Sequence, residues 1–139
     1  SDVSGDIFSP SGNSELFMMD NNELKPDNFN HEQNLVIYES GKQILIAGCA
    51  HRGIVNIMNY MEAIGLGVPD VVIGGFHLYA RSTDKTEPEE IVQALGHELL
   101  TRKAHFYTCH CTGMKAYQQL KAVMGDRIHY LATGQILEL

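Results

Sequence analysis

Three histidines in this 139-residue chain each follow a short apolar run and sit close to glycine or cysteine. His51 follows Ile44, Leu45, Ile46, Ala47, Gly48 and Cys49. His77 follows Val71, Val72, Ile73, Gly74 and Gly75, and His110 follows Phe106, Tyr107, Thr108 and Cys109. A neutral imidazole is a common ligand for zinc and related metals. One such histidine is most often merely solvated or hydrogen-bonded. Three at equivalent places carry more weight, because a parallel sheet gathers the C-terminal ends of its strands on one edge, where open α/β sheets bind ligands. The pattern points to a metal site with His51, His77 and His110 as candidate ligands, and Cys49 beside them.

Placing those residues demands strands that end abruptly and helices that carry the chain back. Residues 34–38 and 43–47 read as two strands closed by the turn at residues 39–42, a β-hairpin. Ile54, Ile57, Met58, Met61 and Ile64 recur at helical spacing, which predicts a helix from Gly53 to Ile64 with Gly65 as its stop. Asp70 to Gly74 reads as the next strand, and residues 79–86 as a polar loop. A helix opening at Glu87 and Pro88 runs to Arg102, with acidic residues at its start and Arg102 and Lys103 at its end, as the helix dipole favours. A further strand ends at Thr108. The last helix spans Met114 to Met124 and buries Ala116, Tyr117, Leu120, Ala122 and Val123. Strands at 128–131 and 135–139 close the chain. Residues 1–14 look like a loop or frayed end, residues 15–19 like a short strand, and residues 20–33 like a long exposed loop, so that 1–33 is largely loop. Alternating strands and helices imply helices packed on a sheet.

The length suits one domain with a real core. With 44% hydrophobic and 19% charged residues, the composition is that of a soluble globular protein. A net charge of -7 argues against nucleic acid, which needs basic patches. No apolar stretch reaches membrane-spanning length and no signal peptide opens the chain, so the expected location is cytoplasmic. Cys49, Cys109 and Cys111 are odd in number and form no CxxC pair, which favours free thiols over a disulfide framework or zinc ribbon. No phosphate-binding glycine loop leads from a strand into a helix, which weighs against an ordinary nucleotide-binding domain.

Four pieces, taken together, resemble the metallo-β-lactamase superfamily. They are residues 31–35 (His-Glu-Gln-Asn-Leu), 48–54 (Gly-Cys-Ala-His-Arg-Gly-Ile), 74–78 (Gly-Gly-Phe-His-Leu) and 110–113 (His-Cys-Thr-Gly). Within that superfamily they are most similar to the ribofuranosyl-aminobenzene phosphate synthase-like or dihydropteroate-synthase-like metallohydrolases. The superfamily's most recognisable motif, His-x-His-x-Asp-His, is absent. The resemblance therefore implies an α/β fold that is only the C-terminal half of an αββα sandwich, a mixed sheet with helices on one face and an apolar opposite face.

The resemblance also implies chemistry. His51 and His110 would be metal ligands, with Cys49 as a nearby substitute and His77 as a ligand or a substrate contact. Zinc, manganese or iron would suit the donors, as a dinuclear centre in the intact protein. Arg52 and Lys115 are candidate contacts for an anionic substrate. The implied function is part of a metal-dependent hydrolase or synthase that uses a metal-activated water on a small phosphorylated or pterin-like molecule. The isolated chain is expected to be inactive, needing the missing N-terminal half or a second copy as partner. The alternative is a non-catalytic binding or interaction module derived from the same fold.

Overall fold

The structure is a computed structural model that describes residues 2–139. Its frame is a five-stranded mixed sheet. Strands β3 (Asn34–Glu39) and β4 (Lys42–Ala47) form the expected hairpin, and β5 (Val71–Gly74), β8 (His105–Thr108) and β9 (Ile128–Tyr130) follow in the order β3-β4-β5-β8-β9. Within this sheet, only the β3–β4 pair is antiparallel among the described residues. Ser40 and Gly41, at φ 51° and 77°, make the tight hairpin turn, the left-handed geometry that suits the twist of paired strands. Two short hairpins lie outside this sheet: β1 (Phe17–Asp20) with β2 (Glu23–Pro26), and β6 (Tyr79–Ala80) with β7 (Lys85–Thr86).

Helices α1 (Ile54–Ala63), α2 (Glu89–Leu100) and α3 (Met114–Met124) each connect neighbouring parallel strands. The four parallel strands are visited in one direction across the sheet. Right-handed crossovers, the near-universal sense, then place all three helices on the same face. The register agrees. Leu45, Val72, Phe106 and Ile128 lie in one row across the sheet and all are fully buried. They join Ile54, Val55, Met58, Leu95, Leu99 and Leu120 from the helices in one core. The opposite face carries the row Leu35, Ile46, Ile73 and Tyr107, and there Leu35 is 55% exposed.

The structure departs from the sequence reading in five places. Residues 2–14, expected as a loop or frayed end, are a loop held as a strap rather than frayed: Val3 and Pro10 are buried, and Ser11–Glu15 makes a 3-10 turn. Buried Asn56 anchors the strap, its Oδ1 accepting from the Ile7 N–H at 3.3 Å and its Nδ2 donating to the Ile7 carbonyl at 3.0 Å. Ser1 lies outside the described residues. Residues 23–26 and 79–80 with 85–86 pair as strands where loops were expected, because periodicity is unreadable in elements this short. The strand expected at 135–139 does not form, and Ile136 is 87% exposed. In α3, Ala122 is exposed and Met124 takes the buried place instead, while Tyr117 and Val123 are half-buried.

Phe106 sits fully buried in the middle of the buried row and meets Phe76 edge-on at 6.4 Å. Phe106→Ala is expected to cost about 3–5 kcal/mol, read as a lower urea midpoint at unchanged m-value.

Candidate functional site

The C-terminal ends of β4, β5 and β8 open into loops that meet in one cleft of about 500 Å³. Cys49, His51, His77, His110 and Cys111 line it. Each loop bends through a non-glycine residue in the left-handed region: Ala50 at φ 52°, His77 at 47° and His110 at 49°. Such residues cost about 1–2 kcal/mol each and collect where surrounding structure over-determines them, often at functional sites. Gly53, at φ 83°, then admits the chain to α1, and a Cβ there would lie 2.9 Å from Asn56 Nδ2.

Two buried hydroxyls tie the second loop to the third. Thr108 Oγ1 donates to the Gly74 carbonyl at 3.0 Å, so it accepts from Thr112 Oγ1 at 2.5 Å; Thr112 Oγ1 in turn accepts from the Phe76 N–H at 2.9 Å. Every donor in this chain is used; His77 follows Phe76 at one of its ends, and His110 lies between the two threonines. Gly75 closes the gap between the same loops. A Cβ at Gly75 would lie 2.5 Å from Cys111 Sγ, and that sulfur reaches over the glycine to within 3.7 Å of the Cys49 carbonyl.

The His51 and His77 rings lie 4.2 Å apart at 54°, and both nitrogens of His77 are buried without a hydrogen-bond partner. Phe29 stacks on His51 at 4.5 Å and 7°. Glu32 Oε2 accepts from the His51 N–H at 2.5 Å and from the Arg52 N–H at 3.4 Å. Asn13 meets both the carbonyl and the ring of His51. Burial, and then the neighbouring His77, pushes His51 down to about 4, and burial lowers His77 as well. Burial raises Glu32 against the pull of its two backbone donors. Burial, followed by the nearby Cys49, drives Cys111 up to about 12, and Cys109 is raised for the same reasons. All three thiols are free.

The cleft thus brings together the four candidate ligands: His51, His77, His110 and Cys49. The two candidate substrate contacts lie elsewhere. Arg52 donates through Nη2 to Asn30 Oδ1 at 2.8 Å, and Lys115 lines a separate depression with Tyr79 and Asp84. Arg81 is the cation in the lining of the cleft. No sequence pattern marks Arg81, Asn13 or Phe29, because each acts from a distant segment whose approach only the fold reveals.

The donors fit a metal in part. Neutral imidazoles and the two unpartnered nitrogens of His77 have the right chemistry. Among the described residues, however, no three His, Cys, Asp or Glu side chains are grouped to hold one ion. No reaction step through a metal follows from this chain alone.

Two outcomes are expected. A His51 that is harder to protonate folded than unfolded makes stability rise with pH from about 4 to 6.5 and fall as acid is added through that window. The rise, followed by urea unfolding across that range, should be smaller in His51→Gln. Separately, Gly75→Ala should lose about 1–3 kcal/mol, and a double-mutant cycle should recover most of it in the Cys111→Ala background.

The comparisons with known proteins agree with this architecture. No protein-family model matches the chain. Over 124 residues it is 31% identical to the 7,8-dihydropterin-6-methyl-4-(beta-D-ribofuranosyl)-aminobenzene-5'-phosphate synthase of Methanocaldococcus jannaschii, covering 88% of this chain and 40% of the relative. It also superposes, with a TM-score of 0.75 and 28% identity, on a solved metal-dependent hydrolase of the beta-lactamase superfamily, covering 88% of this chain and 46% of that one. The chain therefore spans less than half the length of either relative. Its mixed sheet, its helices and these two likenesses together give the chain the fold of the metallo-β-lactamase superfamily and a sequence likeness to it.

Proposed function

We propose that this chain supplies one half of the active site of a metal-dependent hydrolase or synthase. The substrate we propose is a small molecule, phosphorylated or pterin-like, as the name of the curated relative suggests. The observation that carries the reading is the meeting of His51 and His77 at 4.2 Å, with His110 and Cys49 lining the same cleft. Both nitrogens of His77 are buried and unpartnered, which is costly unless a further group satisfies them.

In this reading His51 and His77, with His110 and Cys49 lining the same cleft, would supply part of a metal's donor set, which an N-terminal half would complete. Zinc, manganese or iron would suit these donors, and such an ion would supply Lewis-acid activation of water and of the substrate oxygen. The chain's own contribution is positioning. The left-handed loops and the Thr108–Thr112 hydroxyl pair fix the imidazoles, and burial keeps His51 and His77 unprotonated and ready to ligate. Arg81 is the cation in the lining suited to an anionic substrate. The remaining donors would come from an N-terminal half packed against the apolar sheet face, a reading supported by the exposure of Leu35 and Ile37 on that face. Among the described residues no helix is long and apolar enough to cross a membrane.

The 139-residue chain alone is expected to bind zinc weakly, by calorimetry, and to show no turnover of 4-nitrophenyl phosphate esters with zinc, manganese or iron. Joined to an N-terminal half carrying His-x-His-x-Asp-His, it should turn over, and His51→Ala or His110→Ala should abolish both activity and one metal equivalent. Full metal loading in those variants would sink the ligand assignment. Loading without turnover in the joined protein would favour the non-catalytic module. Comparable turnover by the isolated chain would mean a self-sufficient mononuclear centre.

A further inference from the structure

We infer that Asn13 is a positioning residue that sets the tautomer of His51 and so leaves Nε2 as its lone-pair nitrogen. The inference rests on His51 being a metal ligand only for its functional consequence; the tautomer itself follows from hydrogen-bond chemistry.

A carbonyl oxygen can only accept. The Asn13 atom 2.6 Å from the His51 carbonyl is therefore the amide NH₂, acting as donor. That fixes the orientation of the side chain, and its other terminal atom is the oxygen, which can only accept. This oxygen lies 3.0 Å from His51 Nδ1. In a neutral ring Nδ1 must then carry the proton, and Nε2 carries the lone pair. A ligating histidine is commonly fixed in this way, by an acceptor on the nitrogen that faces away from the metal.

The other neighbours of the ring cannot make this choice. Phe29 stacks on its face and restrains its plane without distinguishing the nitrogens. Glu32 holds the backbone N–H of His51, not its ring. Asn13 itself is held independently of His51. Its N–H donates to the Pro10 carbonyl at 3.2 Å, and its carbonyl accepts from the Leu16 N–H at 3.1 Å. The Ser11 N–H donates to Glu87 Oε1 at 2.6 Å, and Glu15 accepts from Ser82 and Thr83. The turn is thereby fastened to the β6–β7 segment. It also packs on the second histidine, since a Cβ at Gly12 would sit 3.2 Å from His77 Nε2. The strap therefore reaches both rings of the pair and polarises one of them.

The test is a long-range 1H–15N correlation on the metal-free, histidine-labelled chain at pH about 8, above the ordinary histidine range. His51 should show a protonated Nδ1 and a bare Nε2. In Asn13→Ala the signal should move toward the Nε2–H form that free histidine favours in water. Asn13→Asp, which keeps an acceptor for Nδ1–H, should retain the wild-type tautomer. Zinc affinity should fall by about 10–100-fold in Asn13→Ala and recover in Asn13→Asp. A wild-type Nε2–H ring would overturn the inference, and so would an unchanged tautomer in folded Asn13→Ala. If the tautomer behaves as stated but His51→Ala leaves zinc affinity unchanged, the positioning stands and the ligand assignment fails.

Discussion

The cleft depends on the parallel register of β4, β5 and β8. Ile46, Ile73 and Tyr107 lie side by side in one row. Counting from that row, His51 follows by 51 − 46 = 5 residues, His77 by 77 − 73 = 4 and His110 by 110 − 107 = 3. Three loops of nearly equal reach thus leave the same edge of the sheet. A slip of one residue in any strand would turn its side chains to the other face and move its buried row to solvent. Burial of Leu45, Val72 and Phe106 opposes that slip, so the core that stabilises the sheet also sets where the histidines stand.

Register brings the loops together, and their local chemistry then holds them. Left-handed conformations at Ala50, His77 and His110 are unfavourable in isolation. They persist here because the loops are tied to one another. Thr108 and Thr112 join the second loop to the third, and the Gly75 N–H donates to the Gly48 carbonyl at 2.8 Å, joining the first to the second. The absence of a side chain at Gly75 lets Cys111 lie across the middle strand toward Cys49. Two strands that are not neighbours in the sheet therefore communicate at its edge.

How much of this the sequence reveals follows from which forces leave a local signature. The hairpin, α1, α2, α3 and the buried strands are legible because their apolar period is set by one face packing on one core. The histidines at the strand ends are legible for the same reason: an apolar run that stops at glycine, or at cysteine before His110, announces the end of its strand. Asn13 and Phe29 are a different kind of residue, and Glu32, though it lies in the recognised piece 31–35, carries no local sign of its contact with His51. They reach His51 from 38, 22 and 19 positions away in the chain (51 − 13, 51 − 29 and 51 − 32). Nothing in the composition of residues 2–33 separates a polar strap pinned by Asn56 from a frayed end. Lys115 shows the converse: nearness in sequence to His110 does not place a side chain in the same cavity.

Burial acts on the donor set with opposite signs, and this ranks the donors. Removing water disfavours charge, so it lowers the imidazoles of His51 and His77 and raises the thiols of Cys109 and Cys111. A histidine ligates in its neutral form and a cysteine as thiolate. The same environment therefore leaves the two histidines ready to bind a cation and holds the two thiols in the form that does not. A metal would have to expel a proton from Cys111 before using it, but would have nothing to displace from His77, whose nitrogens have no partner. Cys111 instead fills the space above Gly75, where an uncharged sulfur packs well. The His-Cys-Thr segment is thus read most simply as a histidine at the cleft, a thiol that spaces two loops and a hydroxyl that locks them, three adjacent side chains with three separate physical tasks.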